Sequence, residues 1–379
     1  MKAKSIKGKS REEIKSALKV ATSDGFNPTL AIVFLSVSQD RKGISDLLDE
    51  EKIAIYGVTT NGEFIDEDFG KQSIAILLLE IKREYFSVFF DEYPDKNYRE
   101  ITQSISRKAL DKFKHPAFLI AASNLGTDAE QLLFGFEDII GKQAEVFGGM
   151  AGDDFTFAEQ FVFSNGKSSS KGIVAIALDE DNIMIKGNAT CGWKAMGTPK
   201  TVTKSEGNHV YTIDDTSVLD ITIKYSGIQN LTKENQNVLT EIATNFPLQL
   251  QREKGAPVMR PGLVVDWEDG SFYCSGAVPQ GSKVRFSLPP DFEIIDEVIR
   301  EVEKLKSDEM PEANAVILFS CAGRLTAFGP VMSKEIEGIK NVWNVPMAGM
   351  FSMAELGRAT GGNLEMHNLT SCCVALKEK

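Results

Sequence analysis

The sequence contains few of the residues that usually mark metal, haem or thiol chemistry. It has three histidines and five cysteines among 379 residues, and none of the cysteines are spaced as C-x-x-C. An odd number of scattered cysteines argues against a disulfide framework and is typical of a reducing compartment. We therefore expect a cytoplasmic protein without a structural metal site.

Long apolar segments and a basic surface are also missing. Apolar runs such as residues 74–79 have only the length of a strand, so no segment is expected to span a membrane. The formal net charge of −12 argues against a nucleic-acid binder. The basic cluster at residues 1–11 lacks the apolar run of a secretory signal, and we predict that it is a short solvated tail.

Three short stretches share one frame, and we call them the acid-ended loops. In each, a glycine follows an apolar run, an acidic residue comes six positions later, and an apolar residue comes next. They lie at residues 57–64, 148–155 and 349–356. The second of them is rich in glycine, but it lacks the lysine of a phosphate-binding loop and its acids would repel phosphate.

The predicted elements repeat three times around these loops. In each unit a helix, a strand, a helix and a strand precede the loop, and a β-hairpin follows it. The predicted strands are 30–37 and 53–58 in the first unit, 117–122 and 145–147 in the second, and 315–320 and 345–350 in the third. The predicted hairpins join 73–81 to 85–90, 160–164 to 172–178 around Asn165-Gly166, and 364–368 to 371–376.

Further elements are predicted from capping and periodicity. Residues 11–23 form an amphipathic helix, and a capping box from Thr127 to Glu130 opens a helix at residues 129–140. Residues 230–245 are predicted to be helical. The turn-rich stretch 187–290 is predicted to be a mainly antiparallel connection or small subdomain.

These units predict a fold between the α/β and α+β classes, with mixed β-sheets and flanking helices. Two strands joined through a helix by short connections lie parallel, and ligands bind at the carboxyl ends of such strands. All three acid-ended loops follow predicted strand ends, as do residues 123–126 and 320–324. We therefore expect a ligand pocket at these ends.

The same residues resemble the FIST family, a two-part bacterial sensory module. The N-terminal motifs are 57–63, 123–126, 147–154, 192–193, 201–203 and 207–208. The C-terminal motifs are Arg260, 319–324, Glu335, 349–355 and His367-Asn368 with Thr370. The resemblance implies an N-terminal tail and helix at 1–28, a FIST N-type domain at 29–218 and a FIST C-type domain at 219–379.

The resemblance also implies a cytoplasmic sensor of a small ligand, for which amino acids have been suggested. Such a sensor is expected to work with a separate signalling protein, such as a histidine kinase or a cyclase. Some family members are haem-binding nitric oxide sensors, so haem is an alternative cofactor.

The candidate ligand-binding residues suit an amino acid zwitterion. The acids of the loops could bind an amine, and an arginine could hold a carboxylate bidentately. The set is Glu63, Asp153, Asp154, Arg324, Glu355, Arg260, Ser123 and Asn124. Two alternatives remain: the acids could instead hold turns through backbone N–H groups, and Arg324 could form an ion pair with Glu355.

Three other kinds of site stay open. Asp153, Asp154 and Glu63 could hold a divalent cation, although the spacing of a calcium loop is absent. His367 or His209 could be an axial ligand of haem. Cys321 could be the nucleophile of a hydrolase or transferase, or simply a small buried thiol.

Overall fold

The computed structural model describes residues 1–379 except 67, 124–125, 229–230 and 235–237. Its α-helices are α1 Arg11–Thr22, α2 Arg41–Glu50, α3 Tyr98–Leu110, α4 Ala129–Ile140, α5 Val218–Ser226, α6 Glu293–Asp308, α7 Ala322–Phe328 and α8 Met332–Trp343. Its first strands are β1 Lys2–Gly8, β2 Leu30–Ser36, β3 Ala54–Thr60, β4 Glu63–Ile65, β5 Asp68–Gly70, β6 Ile74–Glu80, β7 Phe86–Glu92, β8 Pro116–Ala122, β9 Val146–Met150, β10 Val162–Ser164, β11 Lys167–Ser169, β12 Gly172–Asp179 and β13 Ile183–Thr190. The remaining strands are β14 Ala195–Glu206, β15 His209–Ile213, β16 Thr216–Ser217, β17 Leu248–Leu250, β18 Val258–Arg260, β19 Gly262–Asp266, β20 Ser271–Cys274, β21 Lys283–Ser287, β22 Ala315–Cys321, β23 Met347–Ser352, β24 Glu355–Arg358, β25 Leu364–His367 and β26 Ser371–Glu378.

Helix α1 shows how the sequence pattern produces these elements. Ser10 caps the helix, because its hydroxyl accepts a hydrogen bond from the backbone N–H of Glu13. Ile14, Leu18 and Ala21 recur at helical spacing and are buried. The predicted helix at residues 11–23 is therefore confirmed.

Three sheets share one strand order. Sheet 1 runs β1-β6-β2-β3-β10-β11, sheet 2 runs β7-β12-β8-β9-β24-β25, and sheet 3 runs β13-β26-β22-β23-β4-β5. In each sheet the third and fourth strands are parallel, and the other neighbouring strands are antiparallel. This confirms the predicted mixed sheets and the parallel strands within each unit.

The last two strands of each sheet come from a different unit. The hairpin β4–β5 of the first unit completes sheet 3, β10–β11 of the second completes sheet 1, and β24–β25 of the third completes sheet 2. We call these the exchanged hairpins. Each follows its own unit's acid-ended loop, so the loops are the points at which the chain crosses from one sheet to another.

The sheets enclose a common core and carry helices on their outer faces. The central core joins all three sheets, and the rings of Phe34 and Phe319 meet in it edge to face at 5.9 Å. Helices α1 and α2 cover sheet 1, α3 and α4 cover sheet 2, and α6, α7 and α8 cover sheet 3. Burial on both faces explains why the central strands are continuously apolar.

A fourth sheet fills the stretch between the second and third units. Its order is β18-β17-β21-β14-β15-β20-β19, with β16 beside β15, and its strand pairs are antiparallel. Apolar side chains including Val202, Val210, Phe272 and Phe286 form its core. The predicted antiparallel subdomain is confirmed.

Residues 1–11 are not a solvated tail, and this prediction was wrong. Lys2–Gly8 pairs antiparallel with β6 along its whole length, so it forms the edge strand of sheet 1. Ile6 and Gly8 are buried, while lysines of the strand keep charge at the solvent edge. Amino-acid composition showed that this segment is basic, but it could not show that the segment pairs with β6.

Two of the three predicted hairpins are wrong, and the third has a different second strand. Strands β6 and β7 lie in different sheets, as do β25 and β26. Strand β10 turns at Asn165-Gly166 as predicted, but it pairs with Lys167–Ser169, while Gly172–Asp179 pairs with β7 and β8. Local alternation indicates a strand but carries no information about a partner from another unit.

The helix cap lies one residue later than predicted, and the predicted capping box from Thr127 to Glu130 is wrong. Asp128 caps α4 by accepting from the N–H of Gln131, while the hydroxyl of Thr127 donates to the carbonyl of Ser123 at 2.8 Å. Within the predicted helix 230–245 the structure describes a π-helical segment, Leu239–Thr244. Other parts of that prediction, at 230 and 235–237, lie outside the described residues.

The lengths and hydropathies of the helices also bear on whether the chain could cross a membrane. Among the described residues, no helix combines the length and the apolar character needed to cross a membrane.

Candidate functional site

The three acid-ended loops contact one another. Hydrogen bonds at corresponding positions connect each strand end to an exchanged hairpin: Phe351 N–H donates to Gly62 O at 2.8 Å, and Met150 N–H donates to Ala354 O at 2.8 Å. The third bond of the set runs from Thr59 N–H to Phe161 O at 2.9 Å. Since Gly152 N–H also donates to Thr59 O at 2.7 Å, each of the three loops contacts the other two.

The glycine that opens each loop makes room for this crossing. A Cβ atom on Gly57 would lie 2.3 Å from the ring of Phe163, and one on Gly349 would lie 2.3 Å from the ring of Phe64. A Cβ on Gly148 would lie 1.8 Å from the carbonyl oxygen of Ile120. The glycines thus permit close packing of strands, which is a structural requirement and not a sign of phosphate binding.

Glu63 occupies a position inside the protein at the start of β4. It is fully buried, and its carboxyl group accepts from the hydroxyl of Thr60 at 2.7 Å and from the N–H of Ser73 at 2.7 Å. Burial raises the pKa of Glu63, because the charged form loses its hydration. This acid ties its loop to the strand that follows the exchanged hairpin.

Glu355 repeats that arrangement at the start of β24. It is fully buried, with Ser352 Oγ at 2.7 Å and Thr370 Oγ1 at 2.7 Å. Burial raises the pKa of Glu355 to about 8, so at neutral pH the folded protein favours the protonated carboxyl group.

The second loop departs from the shared frame. The residue of sheet 1 that pairs as Glu63 and Glu355 do in their sheets is Val162, eight positions beyond the acid at Asp154. Asp154 instead has a φ of 58° and accepts from the hydroxyl of Ser36 at 2.5 Å. The predicted threefold equivalence of the acids therefore holds only for the first and third loops.

Asp153 lies beside Asp154 but points into the protein. It is fully buried, and its Oδ2 accepts from the N–H of Ala158 at 2.7 Å and from the hydroxyl of Thr156 at 3.0 Å. Its Oδ1 is buried without a hydrogen-bond partner among the described residues. The two adjacent aspartates thus face different surroundings.

Arg324 forms a buried ion pair, but its partner is not Glu355. The guanidinium group pairs with Glu335, and both side chains are fully buried. Its Nη1 also donates to the carbonyl oxygens of Cys191 at 2.8 Å and Leu369 at 3.0 Å. The expected pair with Glu355 is thus corrected, since the next helix supplies a carboxylate in bidentate geometry.

Arg260 is engaged in the same way between distant parts of the chain. It is fully buried and donates to Glu130 at 2.6 Å, to Ala277 O at 3.1 Å and to Met366 O at 3.1 Å. Its carboxylate partner lies 130 positions away in the sequence. Sequence reasoning missed this partner and assigned Glu130 to a capping box.

Ser123 is likewise turned toward the backbone. It is fully buried, its hydroxyl lies 3.2 Å from Ser169 O, and it accepts from Gly172 N–H at 3.1 Å. Asn124 lies outside the described residues. The role of these residues in ligand binding stays a prediction.

An open cleft of about 530 Å³ lies beside this region, between α6 and the connection from β13 to β14. One wall carries charged side chains of α6. They are Glu293, Glu297, Arg300, Glu301 and Lys304. The opposite wall includes Cys191, Trp193, Lys194, His367 and Thr370.

The back wall of the cleft touches the buried acids and arginines. Thr370 lines the cleft and donates to Glu355, while the carbonyl of Cys191 accepts from Arg324. Glu355 also pairs in register with His367 across β24 and β25. The structure thus places Glu355, Arg324 and His367 at or just behind the cleft, whereas Glu63 and Asp154 do not line it.

The charged wall of α6 was missed from the sequence. Its acids and bases look like the solvent face of an amphipathic helix, with Arg300 paired to Glu297 at 2.5 Å and Lys304 paired to Glu301. The recurrence of these charged residues on one face of α6 is the sequence pattern that could have indicated them. This charged face of α6 becomes part of a cleft only because residues 189–194, 367 and 370 lie opposite it.

The two candidate haem ligands are not placed together. His367 is buried, its Nε2 lies 3.2 Å from Gly357 O, and burial lowers its pKa to about 4. The cleft that it borders is lined by charged side chains, which do not fit the apolar faces of a haem. His209 lies on sheet 4, between the rings of Tyr211 and Tyr273.

Cys321 is a buried thiol at the end of β22. It is 5% exposed, and burial raises its pKa well above the ordinary value of a thiol. A protonated, inaccessible thiol is a poor nucleophile. Its surroundings suit the structural interpretation.

Comparison with known protein families matches both halves of the chain. Residues 29–216 match the FIST N domain and residues 224–358 match the FIST C domain. A comparison with curated individual proteins finds no match. Both matched regions contribute to the cleft, since residues 189–194 fall in the first and α6 falls in the second.

Proposed function

This chain belongs to the FIST family of sensory domains, and on that premise we propose that its cleft binds a small zwitterionic metabolite such as an amino acid. The observation that carries the proposal is the mixture of cationic and acidic side chains around one opening. We place this sensing in the cytoplasm, with a separate histidine kinase or cyclase as the signalling partner.

The cleft has the size and charges that such a ligand needs. Its volume of about 530 Å³ falls within the range of small-molecule sites. Lys194, Arg300 and Lys304, each of which is paired with an acid of α6, can exchange that acid for a ligand carboxylate, and Glu293 and Glu297 can then meet an amine. Both ends of a zwitterion therefore find a partner of opposite charge.

The ion pairs in the cleft can be exchanged for contacts with a ligand. The Arg300 side chain is 56% exposed and its partner Glu297 is 42% exposed. Exposed pairs of this kind contribute only about 0–1 kcal/mol, so breaking one on binding is inexpensive. Arg324 and Arg260 are fully buried with protein partners, and removing either from its partner costs far more.

The site is connected to the crossing points of the chain. A ligand against Thr370 lies next to Glu355, the residue at which the exchanged hairpin β24–β25 begins. Binding there can favour one arrangement of this hairpin over another. That route from cleft to sheet supports a sensory role.

The test is a thermal-shift screen of the purified protein with the amino acids, followed by calorimetric titration of each hit. A true ligand should raise the melting temperature as its concentration rises, because it binds only the folded state. Arg300→Ala and Glu297→Ala should each weaken binding about tenfold, since a charged hydrogen bond contributes about 1.5–3 kcal/mol.

The matched control is Arg99→Ala on α3. Arg99 is 49% exposed and pairs with Asp138 at 2.6 Å, but it does not line the cleft. Its removal should leave affinity unchanged. The proposal fails if no small zwitterion stabilises the protein, or if the cleft variants bind a hit as tightly as the control does.

A further inference from the structure

We propose that His209, Asp266 and Asp269 form a binding site for a divalent transition metal on sheet 4. One ring nitrogen of His209 and one carboxylate oxygen from each aspartate lie within 4.8 Å of one another. The three residues come from β15, the end of β19 and the turn that leads into β20. This site is separate from the cleft and does not depend on the zwitterion proposal.

The sheet brings these side chains to one face. Val210, Val265 and Phe272 point into the apolar core of sheet 4. Their neighbours along the strands, among them His209 and Asp266, therefore project from the opposite face, because side chains alternate along a strand. The register pairs His209 with Tyr273 and Asp266 with Ser271, so the two ligands come from the strands on either side of β20.

The imidazole of His209 is held in one orientation. Its ring lies between Tyr273, with centroids 3.9 Å apart, and Tyr211, with centroids 4.1 Å apart. Its Nε2 lies 2.6 Å from the hydroxyl of Ser271. A ring fixed on both faces and at one edge loses little freedom on binding a metal, which favours affinity.

The two carboxylates are also oriented by the backbone of the turn. The N–H of Glu268 donates to Asp266 Oδ1 at 3.0 Å, and the N–H of Ser271 donates to Asp269 Oδ1 at 3.0 Å. These hydrogen bonds restrict the orientation of both carboxylates.

The set of donors selects the class of metal. One imidazole with two carboxylates suits Zn²⁺ and similar transition metals, whereas Ca²⁺ and Mg²⁺ prefer oxygen ligands alone. Three protein ligands leave a fourth position open. Since Asp269 is exposed and His209 is half-buried, water or a group from a partner can reach that position.

Calorimetric titration of the full chain with ZnCl₂ tests the site. We expect saturable binding at a single site per chain, with a rise in melting temperature. His209→Ala and Asp269→Asn should each weaken binding about tenfold or more, because even the loss of a supporting residue around a metal costs that much. Asp269→Asn nearly preserves the shape of the side chain. It therefore tests the site even if His209→Ala disturbs the packing of Tyr211 and Tyr273.

His115→Ala is the matched control. His115 is exposed, with its Nδ1 2.9 Å from Asp181, but among the described residues it belongs to no group of three metal-ligating side chains. Its removal should leave zinc affinity unchanged. Absence of saturable binding, or equal affinity in the wild type and Asp269→Asn, would overturn the proposal, provided that circular dichroism shows each variant to be folded.

Discussion

Glu355 illustrates how a buried carboxyl group can hold a proton at neutral pH. The hydroxyl of Ser352 lies 2.7 Å from Glu355 Oε1 and 3.1 Å from the carbonyl oxygen of Ser320. A hydroxyl group has one proton to donate. If that proton goes to the carbonyl, Glu355 itself must donate to Ser352, which agrees with its raised pKa of about 8.

Glu355→Gln should therefore change how stability depends on pH. Between about pH 4.5 and 8 the unfolded chain releases this proton while the folded protein retains it, so Glu355 lowers stability as the pH rises. Glutamine keeps the uncharged shape and removes this effect. At pH 9 the variant should be more stable than the wild type by a few kcal/mol, since one pKa unit corresponds to about 1.4 kcal/mol.

Urea denaturation at pH 5, 7 and 9 measures this difference. The gain of Glu355→Gln should be small at pH 5 and largest at pH 9. Glu337→Gln, at an exposed position of α8, serves as the control and should shift stability little at any pH. A constant difference between Glu355→Gln and the wild type across this range would contradict a proton held in the folded state.

At the same scale, the sequence singled out several residues that prove to be buried, but it did not identify their partners. Glu63 and Glu355 were singled out by spacing, and both prove to be buried at equivalent positions. Arg260 was also singled out, yet its partner Glu130 lies in another part of the chain. Ion pairs between distant residues leave no local pattern, so only folding reveals them.

Among the elements, the exchanged hairpins depend on glycines in the strands that they cross. The aromatic ring of Phe163 on β10 lies over Gly57 on β3. The same contact recurs between Phe64 on β4 and Gly349 on β23. In two of the three exchanged hairpins, an aromatic ring thus packs directly against the backbone of a glycine in the neighbouring strand.

Gly57→Ala should destabilise the protein by about 1–3 kcal/mol or more through overpacking. The added Cβ would lie 2.3 Å from the ring of Phe163, so either the ring or the strand must move. Combining Gly57→Ala with Phe163→Leu should recover part of the loss. Chemical denaturation of both single variants and the double variant gives the coupling free energy, and strict additivity would show that the two residues do not interact.

The element scale also shows why the hairpin predictions failed. Strand identity depends on alternation within a few residues, and most predicted strands are present. Partner choice depends on which edge is available after folding, and here the edges adjoining the exchanged hairpins belong to other units. The prediction of Asn165-Gly166 as a turn succeeded because that signal is local.

In the whole molecule, strand exchange joins the two regions that match separate domains. Sheet 2 contains β24 from the second region, and sheet 3 contains β4 and β5 from the first. Sheet 4 also combines β14–β16 with β17–β21. Neither region can complete its sheets alone.

We therefore expect fragments 1–227 and 228–379 to require each other for folding. Each fragment alone should lack a cooperative unfolding transition and should aggregate through its open sheet edges. Co-expressed fragments should form an equimolar complex with near-ultraviolet circular dichroism like that of the intact chain. Size-exclusion chromatography and thermal melts decide the matter, and a monomeric fragment that unfolds cooperatively alone would contradict the expectation.

The sequence by itself determined most helices and strands of the three repeated units and the place of the three loops. These features depend on periodicity and backbone geometry over a few residues. Tertiary structure alone decided which unit completes each sheet, which carboxylates meet the buried arginines, and that the charged face of α6 forms one wall of a cleft. Pairing and burial join residues far apart in the chain, and their free energies depend on what each group meets after the chain has folded.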